Sequence, residues 1–94
     1  MSLFVNPAQF GPNEDLSSYP RSLDRDLELA EKEGVDAVFV PTDKALYQDG
    51  YQTYVELEKL PHHLCGLSRP VFFKGVTTVV TQLFHIVKPH VAIF

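Results

Sequence analysis

Apolar and polar positions along the chain fall into short blocks whose period changes. Leu3-Phe4-Val5 is a continuous apolar run that stops at Asn6-Pro7, as the end of a buried strand does. Residues 6–21 are rich in Pro, Asn, Gly and Ser and read as a loop. Over 22–34 the period lengthens. Leu23 and Leu27 are followed by Ala30, Ser22 is placed to cap, and Gly34 is placed to close the segment in the left-handed conformation, which predicts a helix. Residues 36–41 are a second apolar run of strand length, ended by Pro41. The order is strand, helix, strand, for which a right-handed parallel crossover is the default.

Further along, residues 42–52 predict a short helical turn and then a chain reversal at Asp49-Gly50. Residues 51–60 alternate, with Val55 and Leu57 set against Glu56 and Glu58, as a half-exposed strand in a hairpin or at an interface edge would. Residues 61–75 read as a loop. The segment 76–88 carries two signals. Its Val and Thr content favours a strand, whereas its length and its apolar positions 76, 79, 80, 83, 84 and 87 favour a helix ended by Lys88 and Pro89. Helix is preferred. His90–Phe94 then reads as another buried strand. The expected fold class is α/β, a parallel sheet with flanking helices. A chain that opens on one strand and stops within another reads as part of a larger protein, with residues 1–3 an expression leader and 4–94 a partial domain.

Composition narrows the function. The 94 residues carry a formal charge of −4, and the eight basic residues are scattered, which argues against a phosphate-backbone or nucleic-acid partner. The single cysteine, Cys65, cannot form an internal disulfide, so a reducing compartment, the cytosol, is expected. No basic start joins a 7–15-residue apolar stretch, and no 18-residue apolar run is present, so neither a signal peptide nor a membrane span is expected.

The chemistry concentrates at Asn6 and Gln9, two carboxamides three residues apart at a strand's carboxyl end, where open α/β sheets gather ligands. A carboxamide offers donors and acceptors without a charge, so it can hold a hydroxy acid that a carboxylate would repel. The plainer reading is that Asn6 caps a turn before Pro7 and Gln9 is solvated. Arg69 and Lys74, flanking "PVFF", either meet an anion near a helix N-terminus or are solvated loop charges. His62-His63 lacks the further ligands of a metal site and reads as a pair of surface histidines. Cys65 has no evident partner to lower its pKa and reads as an incidental thiol. The acidic helix positions Asp24, Asp26, Glu28, Glu31 and Glu33, interleaved with Arg25 and Lys32, read as a solvated face. There is no dinucleotide fingerprint, P-loop, zinc-protease motif or nucleophile elbow.

The run Phe4 to Phe10, F-V-N-P-x-Q-F, resembles the hallmark of the pantothenate synthetase (pantoate–β-alanine ligase) family. The likeness continues through "GPNEDLSSYPRSLDRDLELAEKEGVDAVFVP", "LCGLSRP" and "FKGVTTVVTQLFHIVKP", in order, over nearly all of residues 4–94. The resemblance implies a Rossmann-like nucleotide-binding domain in a homodimer. It implies a two-step reaction in which pantoate and ATP, with Mg2+, give pantoyl adenylate, and β-alanine then displaces AMP. It also implies that Gln9 binds pantoate and helps position β-alanine, and that Asn6 lines the same pocket.

The departures are specific. The family's ATP site needs an upstream H-x-G-H-type motif, a G-E-K-D-like segment after the strand ending at Phe94 and a later K-M-S-K-S-like loop, none of which stands in this chain. The expectation is that the 94 residues alone do not adenylate pantoate. Where the family usually shows R-P-G-H-F-R-G-V, this chain has Val71, Phe72 and Lys74 in place of Gly, His and Arg. Two other readings compete: a non-catalytic module that self-associates through 51–60 around a vestigial pocket, and a different adenylyl-transferring enzyme, which the F-V-N-P-x-Q-F run disfavours.

Overall fold

The computed structural model describes residues 1–11, 16–58 and 70–94. The expectations for His62, His63, Cys65 and Arg69 fall outside the described residues, as does the tail of the segment 51–60 beyond Glu58. Among the described residues four helical elements follow in order: a 3₁₀ turn at Pro7–Gln9, α1 at Leu23–Lys32, α2 at Asp43–Leu46 and α3 at Pro70–Val87.

The first and second predicted strands run parallel with α1 between them, but their pairing is minimal. Ser2 and Phe39 form one isolated parallel bridge. The Phe39 N–H donates to the Met1 carbonyl at 2.8 Å and the Leu3 N–H to the Phe39 carbonyl at 3.0 Å. The Met1 amino group adds a bond to the Ala37 carbonyl at 3.1 Å. Among the described residues no longer ladder forms, because Asn6-Pro7 soon turns the first segment into the 3₁₀ turn. The expected sheet is thus reduced here to a single parallel contact.

Helix α1 closes as its sequence predicts. Gly34 has φ 79, the Val35 N–H reaches the Ala30 carbonyl at 3.0 Å, and the Gly34 N–H reaches Glu31 at 3.1 Å. These are the paired bonds of a Schellman motif, which needs a residue without a Cβ penalty at the left-handed position. Its start differs. Ser22 holds the N-cap position, but its side chain makes no capping bond. Ala30 is buried, while Leu23, Leu27 and Leu29 are largely exposed. The charged positions form a solvated face, with Lys32 and Glu28 paired at 3.6 Å.

Helix α3 begins at Pro70, so the predicted loop 61–75 gives way to helix from Pro70 on, and a proline is tolerated at a helix's first position. Its C-terminus is marked by Lys88 with φ 51. The threonines that mimicked a strand have a tertiary task. The Val55 N–H donates to the Thr78 hydroxyl at 2.9 Å, and the Val55 carbonyl accepts from the Thr77 and Thr78 hydroxyls. The described part of the segment predicted as a strand, residues 51–58, is therefore an extended stretch docked on α3, where the hydroxyls of a helix take the place of a partner strand at Val55. Thr78 is 2% exposed, the most buried large side chain described.

The predicted turn at Asp49-Gly50 forms, with the Tyr51 N–H on the Gln48 carbonyl at 2.9 Å and Gly50 at φ 79. Residues 90–94 depart from expectation. Ile93 and Phe94 are 93% and 92% exposed, and no strand is formed there. An apolar strand is buried only when neighbours cover it, and among the described residues this end meets α3 through Phe94 and Phe84, with ring centroids 6.4 Å apart, while its apolar side chains stay open to solvent. The described apolar core is small, consisting of Ala30, Leu46 and Val79. The chain exposes 7471 Å², where a compact monomer of its mass exposes about 5,500 Å².

Candidate functional site

The site is built from the 3₁₀ turn upward. A residue before proline is driven to extended backbone, and Asn6 has φ −81 and ψ 109, the geometry of an N-cap. Pro7 supplies the first helical position, where a missing N–H costs nothing. The Asn6 Oδ1 accepts the Ala8 N–H at 3.2 Å, and the Gln9 N–H closes on the Asn6 carbonyl at 3.2 Å.

Helix α3 presses on this turn at Gly75. A Cβ placed on Gly75 would lie 2.5 Å from the Ala8 carbonyl oxygen and 2.7 Å from the Gln9 nitrogen, so only glycine permits the approach. Because the backbones meet there, the Asn6 Nδ2 donates to the Gly75 carbonyl at 3.0 Å. Its other hydrogen goes to the Gln9 Oε1, also at 3.0 Å. The Tyr47 hydroxyl donates to the Asn6 Oδ1 at 2.7 Å. Asn6 is 5% exposed. Both its donors and both lone pairs of its oxygen are engaged, the full capacity of a carboxamide.

This network sets the polarity of Gln9. The Ala8 N–H can only donate and the Gly75 carbonyl can only accept, so the Asn6 amide has one satisfactory orientation. That orientation commits the Gln9 Oε1 to Asn6, and what Gln9 brings to its surroundings is the donor end of its amide. Gln9, Asn6, Phe4, Phe10, Tyr19 and Phe72 line a cavity of about 220 Å³. The Phe10 and Tyr19 rings close one side edge to face, with centroids 5.7 Å apart. The volume lies below the roughly 300–1,000 Å³ of sites for drug-sized ligands and suits a small organic molecule.

Sequence reading singled out Asn6 and Gln9, and the structure brings them together. Lys74 faces elsewhere: its ammonium lies over the Tyr54 ring, 4.6 Å from the centroid. Tyr54, Tyr51 and Tyr47 form a ladder of edge-to-face rings with centroids 5.3 and 5.1 Å apart. The Gln82 Nε2 anchors its middle through the Tyr51 hydroxyl at 2.7 Å. Burial, reinforced by Tyr51, pushes the Tyr47 phenol up to about 12. Tyr47 and Gly75 went unnoticed in the sequence. A glycine inside a helix was the one available signal, since it costs about 1 kcal/mol against alanine and is kept where backbones approach closely.

The family model described as Pantoate-beta-alanine ligase matches residues 1–94. The chain belongs to that family. It is 69% identical over 93 residues to the pantothenate synthetase of Syntrophobacter fumaroxidans, covering 99% of this chain and 33% of that protein. It is 63% identical over 94 residues to the pantothenate synthetase of Acetivibrio thermocellus, covering 34% of it. The crystal structure of pantothenate synthetase from Thermus thermophilus superposes with a TM-score of 0.89 at 47% identity, over 94% of this chain and 32% of that one. The pantoate-beta-alanine ligase of Francisella tularensis, complexed with a form of ATP and with β-alanine, superposes with a TM-score of 0.85 at 41% identity, over 94% of this chain and 34% of that one. The chain thus spans about a third of the length of the relatives it matches.

Proposed function

We propose that this chain supplies the acid-substrate half of the pocket in an ATP-dependent ligase that joins pantoate to β-alanine. The observation that carries the reading is the Asn6–Gln9 pair, held at 3.0 Å with its polarity set by backbone on both sides, at the wall of a small cavity. In the reaction a pantoate carboxylate oxygen attacks the α-phosphorus of ATP and pyrophosphate leaves. The β-alanine amine then attacks the acyl carbon, AMP departs with the bonding pair, and the amine loses a proton. The Gln9 Nε2 donates to a pantoate oxygen and orients the acid. Being neutral, it neither repels the carboxylate nor neutralises the charge that makes it nucleophilic.

The parallel contact of Ser2 with Phe39, the crossover helix α1 and the close superposition on pantothenate synthetases support a Rossmann-like domain of which this chain is a part. The surplus exposed area supports a surface covered by the rest of that domain or by a second copy, in keeping with a homodimer in the cytosol. Among the described residues no group of three or more His, Cys, Asp and Glu side chains converges on a point. The family's H-x-G-H-, G-E-K-D- and K-M-S-K-S-like segments do not stand in these 94 residues, which supports placing Mg2+ and the ATP phosphates on other segments of the protein and reading the 94 residues by themselves as inactive in adenylation. Among the described residues no helix is long and apolar enough to cross a membrane.

Isothermal titration of pantoate into this chain and into Gln9→Ala, with and without ATP, tests the reading. Binding that is markedly weakened but still measurable in Gln9→Ala, and indifferent to ATP, is expected. Absence of pantoate binding to the unaltered chain, or full binding to Gln9→Ala, overturns it.

A further inference from the structure

We infer that Tyr47 is a positioning residue for the acid pocket: its hydroxyl fastens the Asn6 carboxamide in the orientation that the backbone sets, and through it steadies the Gln9 amide that meets the substrate. The inference rests on the proposed role of Gln9 and extends the site to a residue on the C-terminal side of α2.

The geometry is a relay of three side chains. The Tyr47 hydroxyl reaches the Asn6 Oδ1 at 2.7 Å across 41 positions of sequence, the shortest of the four bonds that Asn6 makes through its side chain. On the same oxygen the Ala8 N–H lies at 3.2 Å, so Tyr47 is the tighter of its two donors. The Asn6 Nδ2 then passes that orientation to the Gln9 Oε1. Without Tyr47 the oxygen keeps only the longer bond. The amide, still tethered by the Gly75 carbonyl, is then held less tightly, and the Gln9 amide loosens with it.

Tyr47 is itself well held. Its ring packs edge to face on Tyr51 at 5.1 Å and against Phe4 at 6.5 Å. Phe4 also lines the cavity, so the residue that braces Tyr47 is part of the pocket wall. The Tyr51 hydroxyl is pinned by Gln82 of α3, and the Gln82 amide also reaches the Leu46 carbonyl at 3.0 Å, one residue before Tyr47. Helix α3 therefore clamps Asn6 twice, directly through Gly75 and indirectly through the tyrosines.

A double-mutant cycle tests this, read by pantoate titration into the chain with Tyr47→Phe, Gln9→Ala and both. Tyr47→Phe keeps the ring and its packing and removes only the hydroxyl. It is expected to weaken pantoate binding by about 5- to 20-fold, the loss of one buried neutral hydrogen bond. In the Gln9→Ala background the same change is expected to cost less than about 2-fold, because groups acting through one another are not additive. Equal losses in both backgrounds, or no loss in Tyr47→Phe, overturn the inference. A second readout stands apart from the ligand: the side-chain amide resonances of Asn6 and Gln9 in a nitrogen-15 correlation spectrum. Both are expected to move in Tyr47→Phe. A Gln9 amide that stays in place overturns the relay whether or not pantoate binds, whereas a shifted Gln9 amide with no pantoate binding overturns the functional reading and leaves the relay standing.

Discussion

Asn6 and Gly75 lie 69 positions apart and meet through a 3.0 Å hydrogen bond from the Asn6 amide to the Gly75 carbonyl. The contact exists because Gly75 has no Cβ and Asn6 stands before a proline. One feature lets α3 approach, and the other turns the Asn6 side chain back over its own turn. The candidate site is thus a joint between the start of the chain and its long C-terminal helix.

Gly75→Ala sets two effects against each other. Helix propensity gains about 1 kcal/mol, while overlap with the Ala8 carbonyl forces backbone apart at a typical cost of about 1–3 kcal/mol. The nearest atoms are backbone and cannot rotate away. A net destabilisation is expected, visible as a lower urea midpoint, together with weakened pantoate binding. A rise in the midpoint would show that the joint is looser than its geometry.

Asn6→Asp keeps shape and removes both donors. The Gly75 carbonyl and the Gln9 Oε1 would then face a carboxylate oxygen, acceptor against acceptor, in a place that is 5% exposed. A loss of about 1–3 kcal/mol is expected at neutral pH from the unsatisfied buried groups. Chemical denaturation measures it, and a variant as stable as the parent refutes the accounting.

Thr78→Val preserves volume and deletes the hydroxyl that serves Val55. The Val55 N–H loses its partner, so its amide exchange should accelerate sharply and the stretch around it should loosen from α3. Thr81→Val supplies the contrast, because the Thr81 hydroxyl only bonds back to the Thr77 carbonyl of its own helix at 2.7 Å. Exchange at Val55 should be unchanged in that variant.

Tyr47 makes stability depend on pH in the alkaline range. Its folded pKa, about 12, lies above the ordinary phenol value near 10. The folded state therefore holds a proton that the unfolded state has released, and stability falls as pH rises between these values. Below about pH 10 the contribution is intact. Urea midpoints followed from about pH 9 to 12 should decline, and Tyr47→Phe should flatten part of that decline. An unchanged slope in the variant would place the titration elsewhere.

What the sequence determined by itself is local. Gly34 ends α1 because only a residue tolerating positive φ can carry the paired closing bonds, and Gly50 turns the chain for the same reason. The run from Asn6 to Gln9 announces a capped turn, since Asn-Pro admits few alternatives, and the F-V-N-P-x-Q-F pattern pointed to the family. These outcomes depend on neighbours a few residues away. Tertiary structure decided the rest. That 76–87 is helix was legible in its length and apolar spacing, but why it carries threonines depended on Val55, more than twenty residues away. Whether 51–58 paired as a strand depended on what lay beside it, and a helix lay there. Burial of 90–94 required covering elements that the described residues do not provide. The Asn6 bonds to Tyr47 and Gly75 join three distant segments, and no local pattern encodes which of them will meet. Hydrogen bonds over three or four residues follow from backbone preference, whereas those over forty or seventy follow only from the packing that brings them within 3 Å.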